Sequence, residues 1–221
     1  MNKYKVILFD LDGTISDPKV GITKSVQYAL QKMNIDEPDL DKLECFIGPP
    51  LQASFPEFYH FDESETKKAV DFYRERFKEK GMYENEVYAQ MPSLLQALLE
   101  QKFILTVATS KLTIFAEQIL TYFNIRQYFE LVVGSNLDGT RTSKTEIIEY
   151  ILQHYSHHKL EDFIMIGDRK YDIIGANNTG IHSIGVTYGY GSLEELTQSN
   201  PTYTVHSIDQ LKGILMGSLA Q

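Results

Sequence analysis

Two aspartates lie near the start of the chain: Asp10 directly follows the apolar run Val6–Phe9, and Asp12 follows after one more apolar residue. A run of this kind is typical of a strand that is buried on both faces. Carboxylates at the end of such a strand cost free energy unless a metal ion or a reaction requires them. Gly13 follows, and glycine allows a tight turn that most residues cannot make. Taken alone, the segment is also compatible with an ordinary Asp-Gly turn after a strand.

Later segments carry further groups that could do chemistry. Thr109 and Ser110 follow a second apolar run, and Lys144 stands at a predicted helix start. Asp168 comes after the fourth apolar run, with Asp172 four residues later. Carboxylate oxygens suit Mg²⁺, which usually keeps several waters and part of the substrate as ligands. An ammonium, hydroxyls and the backbone N–H groups of turns and helix starts suit a phosphate. These residue types together predict a site for a metal ion and a phosphate group.

The elements that must position these groups alternate between strands and helices. Beyond the first strand, short apolar runs predict strands at 103–108, 131–133, 163–166 and 183–186. Helical periodicity lies between them, and capping boxes are predicted at Ser143–Glu146, Ser192–Glu195 and Ser207–Gln210. This alternation predicts an α/β fold with a doubly wound parallel sheet. Because the carboxyl ends of parallel strands share one edge, the candidate groups are expected to meet there.

The stretch 17–83 interrupts the alternation. Asp17 and Pro18 predict a helix start, and apolar residues with a helical period follow them. A second helical period covers about 64–80, and the stretch contains no convincing strand. The sequence therefore predicts two domains. An α/β core comprises 1–16 and 84–221, and an all-α unit, 17–83, is inserted after the first strand.

Composition limits the classes of partner and location. The chain has 221 residues, of which 43% are hydrophobic and 23% charged, as in ordinary soluble globular proteins. A net charge of -9 argues against nucleic acid or an anionic membrane as the main partner. Cys45 is the single cysteine, so no intrachain disulfide exists. The strand predicted directly after residues 1–5 leaves no room for a signal peptide, and we expect a cytoplasmic monomer or homodimer.

Four motifs occur in order, each at a predicted strand or helix end. They are Asp-Leu-Asp-Gly-Thr at 10–14, Thr109, Lys144, and Gly-Asp-Arg-Lys-Tyr-Asp at 167–172. In these motifs the chain resembles the haloacid dehalogenase superfamily, in its phosphatase branch with a helical cap after the first strand. The cap and the segment Phe-Ile-Gly-Pro-Pro-Leu at 46–51 are most similar to phosphoglycolate-phosphatase-like proteins. The sequence around Lys144 differs from that in many relatives, in which prolines flank the corresponding lysine; here it reads Thr-Ser-Lys-Thr.

The resemblance implies roles for these residues. Asp10 would attack phosphorus and form an aspartyl-phosphate, while Asp12 would protonate the leaving oxygen and then take a proton from water. Mg²⁺ would be held by Asp10, the backbone carbonyl of Asp12, and Asp168. Asp172, one helical turn after Asp168, would either ligate the metal or orient a metal-bound water. The implied phosphate-binding groups are Leu11, Thr109, Ser110 and Lys144.

The predicted function is Mg²⁺-dependent hydrolysis of a small phosphomonoester, with a phosphoglycolate-phosphatase-like activity first. The helical cap implied by the resemblance would act as a lid over the site. A 5'-nucleotidase or a sugar-phosphate phosphatase is an alternative, as is a phosphotransferase similar to β-phosphoglucomutase. A protein that binds phosphometabolites without catalysis is disfavoured, because every expected catalytic position is filled. A dehalogenase is disfavoured, because that branch does not need Asp12.

Overall fold

A parallel sheet of six strands is the central element of the computed structural model, which describes residues 3–217. The strands follow the order β5-β4-β1-β6-β7-β8, and β2 pairs with β3 separately. In chain order they are β1 (Val6–Phe9), β2 (Ser16–Asp17), β3 (Glu86–Val87), β4 (Ile104–Leu112), β5 (Leu131–Ser135), β6 (Phe163–Gly167), β7 (His182–Val186) and β8 (Tyr203–Val205).

The α-helices occupy the remaining long segments. They are α1 (Lys19–Lys32), α2 (Leu51–Tyr59), α3 (Glu63–Arg76), α4 (Met91–Glu100), α5 (Thr113–Tyr122), α6 (Lys144–His154), α7 (Lys170–Thr179), α8 (Leu193–Gln198) and α9 (Ile208–Leu215). Shorter 3₁₀ turns span Asp41–Phe46, Arg126–Tyr128 and Leu160–Asp162. Within residues 3–217, no helix combines the length and the apolar character that crossing a membrane requires.

Strand β1 lies inside the sheet, between β4 and β6. All four of its residues are buried, and Phe9 is paired in parallel register with Val107 of β4 and with Ile166 of β6. Continuous apolar character is what a strand covered on both faces requires. The predicted parallel α/β architecture is confirmed. This register brings the segments that follow Phe9, Val107 and Ile166 to one edge of the sheet.

Some local predictions differ from the structure. Strand β4 continues beyond Ala108 to Leu112, with an irregularity in its register against β5 between these two residues. The helix predicted over about 64–80 is α3; it ends at Arg76, and a π-helical turn, Phe77–Gly81, follows. Helix α1 begins at Lys19, so Pro18 lies at the cap position instead of the first helical position. The short strand β8 has no counterpart among the predicted elements.

The chain divides into two compact units. The sheet unit comprises the chain up to Ser16 and from Val87 onward, and the helical unit comprises Asp17–Glu86. One face of the sheet unit is covered by α6 and α7, whose apolar residues join those of β1 and β6 in one buried cluster. The helical unit contains α1, α2 and α3. There α1 approaches the π-helical turn so closely that a Cβ on Gly21 would lie 2.0 Å from the Gly81 carbonyl oxygen.

Candidate active site

Asp10 is the first residue after β1, and it is only 3% exposed. Its backbone N–H donates to the Ile166 carbonyl, which ties it to β6. The carboxylate oxygen Oδ1 accepts a hydrogen bond from the Leu11 N–H at 2.7 Å and lies 3.0 Å from the Lys144 Nζ. Two donors on one oxygen fix the orientation of the carboxylate.

Lys144 is the first residue of α6 and is buried. The predicted capping box of Ser143 and Glu146 is confirmed, and it determines where this helix starts. Besides Asp10, the Lys144 Nζ contacts Asp172 Oδ1 at 2.8 Å and donates to the Ala108 carbonyl at 2.8 Å. Burial lowers the pKa of Lys144, but the two aspartates more than offset this and raise it above its ordinary value. The side chain is therefore an ammonium held among acceptors.

Asp168 follows β6 and is completely buried. Its Oδ1 accepts from the Thr14 hydroxyl at 3.3 Å, and its Oδ2 accepts from the Tyr190 N–H at 2.7 Å. The turn after β1 touches this carboxylate directly. Gly13 has a φ of 78°, and a Cβ on it would lie 2.2 Å from Asp168 Oδ2. A glycine is required here both for the backbone conformation and for the space.

Asp10, Asp168 and Asp172 form one buried cluster, in which one carboxylate oxygen from each lies within 4.8 Å of the other two. Burial raises the pKa of Asp168 well above its ordinary value, and the charges of Asp172 and Asp10 raise it further. Burial, opposed by Lys144 and reinforced by Asp10, raises the pKa of Asp172 to about 7. When all three are ionised, the carboxylates of the cluster carry more negative charge than the single Lys144 ammonium neutralises. An all-oxygen donor set of this kind fits Mg²⁺.

Asp12 directs its side chain to a different partner. Its Oδ2 lies 2.9 Å from the Lys111 Nζ, and its buried Oδ1 has no hydrogen-bond partner among the described residues. Burial raises the pKa of Asp12, Lys111 opposes this, and Asp10 adds to it, so that the pKa lies above its ordinary value. A carboxyl group with a raised pKa is suited to carrying a proton. Sequence reasoning missed Lys111, although it ends the same Thr-Ser-Lys segment as Thr109.

Thr109 and Ser110 lie in the irregular part of β4, between Ala108 and Leu112. The Thr109 hydroxyl is buried and accepts from the Lys111 N–H at 3.2 Å. The Ser110 carbonyl accepts from the Ser135 hydroxyl of β5 at 3.0 Å. The carbonyl of Ala108, the residue before Thr109, accepts a hydrogen bond from Lys144, so this segment begins beside the cluster. Their role as phosphate donors stays a prediction.

A segment of the sheet unit that was not predicted to belong to the site wraps around Asp168. It is Tyr-Gly-Tyr-Gly at 188–191. A Cβ on Gly189 would lie 2.3 Å from the Gly13 carbonyl oxygen, and one on Gly191 would lie 1.9 Å from the Asp168 carbonyl oxygen. The Tyr188 hydroxyl donates to the Thr14 carbonyl at 3.2 Å. The alternating glycines were the available signal, because they allow backbone to approach backbone this closely.

Comparison with known proteins gives a consistent result. Residues 7–186 match the family model of the haloacid dehalogenase-like hydrolases. A 5'-nucleotidase of Pseudomonas aeruginosa is 47% identical over 213 residues, which cover 96% of this chain and 96% of that protein. A phosphoglycolate phosphatase of Colwellia psychrerythraea is 28% identical and is covered to the same extent, 96% of each protein.

Solved structures agree with these relatives. The structure of a predicted phosphatase from Clostridium acetobutylicum superposes with a TM-score of 0.94 at 48% identity, covering 97% of this chain and 99% of that one. A haloacid dehalogenase-like family hydrolase from Streptococcus pneumoniae superposes with a TM-score of 0.87 at 31% identity, covering 96% and 98%. With its buried aspartates at the carboxyl edge of the sheet, the chain belongs to the haloacid dehalogenase-like hydrolase family and is a phosphatase.

Proposed function

We propose that this phosphatase hydrolyses small phosphomonoesters in an Mg²⁺-dependent reaction that passes through an aspartyl-phosphate on Asp10. The observation that supports this most directly is the buried cluster of Asp10, Asp168 and Asp172, in which Asp10 and Asp172 contact the Lys144 ammonium. A structural ion pair would need one carboxylate for one ammonium. The surplus of buried negative charge calls for a cation. The carboxyl edge of a parallel sheet, where the cluster lies, is also where such folds bind their ligands.

Asp10 is the proposed nucleophile. A lone pair of its carboxylate forms a bond to phosphorus while the bond from phosphorus to the leaving oxygen breaks. The Leu11 N–H and the Lys144 ammonium hold Oδ1, so the carboxylate is positioned before the substrate arrives. In the second step, a water oxygen attacks the phosphorus of the aspartyl-phosphate, inorganic phosphate leaves, and Asp10 is restored.

Asp12 is the proposed acid and base. It gives its proton to the leaving oxygen in the first step and takes a proton from the attacking water in the second. A raised pKa favours the protonated form that the first step needs. The Lys111 ammonium, 2.9 Å from Oδ2, stabilises the carboxylate that forms when the proton leaves.

The proposed metal ligands are Asp10, Asp168 and Asp172, together with the Asp12 backbone carbonyl. When bound there, Mg²⁺ supplies positive charge that reduces the repulsion between the Asp10 carboxylate and the phosphate. Lys144, the Thr109 hydroxyl and the N–H groups of Leu11 and Ser110 are the proposed phosphate-binding groups. Hydrogen-bond donors and charges of this type supply most of the catalysis in phosphoryl transfer.

Among substrates, we place nucleoside 5'-monophosphates first. The 5'-nucleotidase of Pseudomonas aeruginosa is 47% identical over 96% of this chain, so the similarity includes the helical unit. Phosphoglycolate phosphatases are more distant, at 25–28% identity. The identity of the relatives thus favours the nucleotidase alternative over the phosphoglycolate phosphatase that the sequence motifs placed first.

The test is a phosphate-release assay with the full-length protein, using nucleoside 5'-monophosphates, phosphoglycolate, sugar phosphates and p-nitrophenyl phosphate. We expect activity with Mg²⁺, none with EDTA, and none in Asp10→Asn, which keeps the size of the side chain. Phosphate release by folded Asp10→Asn would contradict the proposed mechanism. Transfer of phosphate from glucose 1-phosphate to a second sugar hydroxyl would instead support the phosphotransferase alternative.

A further inference from the structure

The carboxylate of Glu195, in α8, contacts the start of α7. Its Oε1 accepts from the Arg169 Nε at 2.9 Å and from the Lys170 N–H at 2.8 Å, and its Oε2 accepts from the Arg169 Nη2 at 3.3 Å. The Arg169 and Glu195 side chains are 12% and 22% exposed. Hydrogen bonds from two guanidinium nitrogens to one carboxylate fix both the distance between the two groups and their relative orientation.

The predicted capping box at Ser192 is only half formed. The Glu195 N–H donates to the Ser192 hydroxyl at 3.0 Å, as predicted, but the Glu195 carboxylate turns toward Arg169 and Lys170. At Ser143 the corresponding glutamate completes the box by accepting from its own cap residue. Glu195 thus contributes its charge to the start of α7 instead of to its own helix, α8.

The residues that Glu195 holds connect two carboxylates of the acidic cluster. Arg169 directly follows Asp168, Lys170 begins α7, and Asp172 lies in the first turn of that helix. The Arg169 N–H donates to Asp172 Oδ2 at 3.1 Å. Glu195 therefore holds the short piece of backbone that joins Asp168 to Asp172.

The loop before α8 holds the same backbone from another direction. The Tyr190 N–H donates to Asp168 Oδ2 at 2.7 Å, and Gly191 is packed against the Asp168 carbonyl. Asp168 is thus restrained at its carboxylate, at its carbonyl and, through Arg169 and Lys170, at the peptide units that follow. Of these restraints, the one made by Glu195 depends on a side chain and can be removed by substitution.

We propose that Glu195 is a positioning residue for the metal ion, acting through Arg169 and Lys170 on the carboxylates of Asp168 and Asp172. This inference rests on the proposed function, because it takes those aspartates as ligands. Mg²⁺ demands nearly ideal octahedral geometry, so small rotations of a ligand weaken its binding. Residues that orient ligands in this way typically change metal affinity by about 10- to 100-fold.

The experiment measures Mg²⁺ binding to the full-length protein by isothermal titration calorimetry, with Mn²⁺ electron paramagnetic resonance as a second readout. In Glu195→Gln we expect the dissociation constant to rise by about tenfold or more. Turnover at saturating Mg²⁺ should stay close to that of the wild type. The matched control is Glu194→Gln, an equal change of charge on the same helix at an exposed residue that accepts from Gln198. Its affinity for Mg²⁺ should be unchanged.

Arg169→Lys keeps the positive charge but cannot form the paired hydrogen bonds, and we expect the same loss of affinity. It replaces Glu195→Gln if that variant does not fold. Wild-type affinity in a folded variant of either kind would overturn the inference. Asp168→Asn separates the two proposals. If Asp168→Asn abolishes Mg²⁺ binding and Glu195→Gln leaves Mg²⁺ binding unchanged, only the inference about Glu195 is wrong. If wild type and Asp168→Asn bind Mg²⁺ equally, the proposed metal site is wrong and the inference with it.

Discussion

The Lys144 Nζ lies 3.0 Å from Asp10 Oδ1, and the two side chains are only 3% and 4% exposed. These residues come from the start of α6 and the end of β1. A buried ion pair has lost its hydration, and the free-energy cost of that loss is compensated only while both partners are present. The pair therefore connects the stability of the sheet unit with the proposed binding of phosphate.

Lys144→Met is expected to destabilise the protein and to reduce activity. It leaves Asp10 and Asp172 without their ammonium, and breaking a buried ion pair costs about 3–5 kcal/mol. Losing a charged donor to the phosphate should lower kcat by about 10²- to 10³-fold. Urea unfolding and phosphate release measure the two effects. Saturating Mg²⁺ should partly restore stability, because it would supply the missing positive charge.

The control for that variant is Lys159→Met. Lys159 lies 3.6 Å from Glu161, with side chains 81% and 72% exposed. Exposed pairs contribute at most about 1 kcal/mol, so stability and activity should stay close to those of the wild type. Equal effects of the two substitutions would contradict the importance given to the buried pair.

Asp12→Asn should separate the two chemical steps. p-Nitrophenolate is a good leaving group and needs little help from an acid, so the first step should still proceed. The second step needs a base to take a proton from water, and it should slow by about 10²- to 10⁴-fold. We expect a burst of p-nitrophenol and a protein whose intact mass has increased by one phosphoryl group. Asp10→Asn is the control and should show neither. Multiple turnovers of Asp12→Asn at the wild-type rate would contradict its assigned role.

Gly13→Ala should disrupt the cluster more than Gly139→Ala. Both glycines have a positive φ, 78° and 84°, so both substitutions introduce backbone strain. That strain costs on the order of 1 kcal/mol. Only at Gly13 does the new Cβ meet Asp168 Oδ2, at 2.2 Å, whereas the one on Gly139 has nothing within 4 Å. Calorimetry should show weakened Mg²⁺ binding in Gly13→Ala and unchanged binding in Gly139→Ala. Full Mg²⁺ affinity in Gly13→Ala would mean that Asp168 is not a ligand.

Glu84→Gln should reveal a pH-dependent contribution to the helical unit. Glu84 Oε2 lies 2.8 Å from the Arg76 Nη1, and the hydrogen bond to Arg76, opposed by burial, lowers the pKa of Glu84. A lowered pKa in the folded state means that the stabilisation is present above the unfolded pKa of about 4.3. It is lost as the pH falls through the lower, folded value.

The measurement is the difference in urea midpoint between wild type and Glu84→Gln across a pH series. Wild type should be more stable near neutral pH, and the difference should shrink below about pH 4. Glu79→Gln, an exposed residue of the π-helical turn, is the control and should show little difference at any pH. A difference in urea midpoint between wild type and Glu84→Gln that does not change with pH would contradict the assigned role of this ion pair.

Sequence by itself determined the sheet and the edge on which the chemistry lies. Continuous apolar runs such as Val6–Phe9 are typical of a strand that is covered on both faces, and their alternation with helices implies parallel order. Parallel order in turn sends Asp10 and Asp168 to one edge. The capping pair Ser143–Glu146 set the start of α6, and with it the position of Lys144. All of these are local patterns, and their physical causes act over a few residues.

Only the tertiary structure decided which charges meet. Lys111 contacts Asp12 from the part of β4 where the register against β5 shifts, between Ala108 and Leu112. Lys144 contacts both Asp172 and Asp10, and the Glu195 carboxylate accepts from Arg169 instead of completing the capping box of its own helix. Each contact joins residues far apart in the chain, and its distance depends on strand register and helix packing. Periodicity and spacing describe neighbours along the chain, so they identify the charged groups but do not determine how buried charges pair across it.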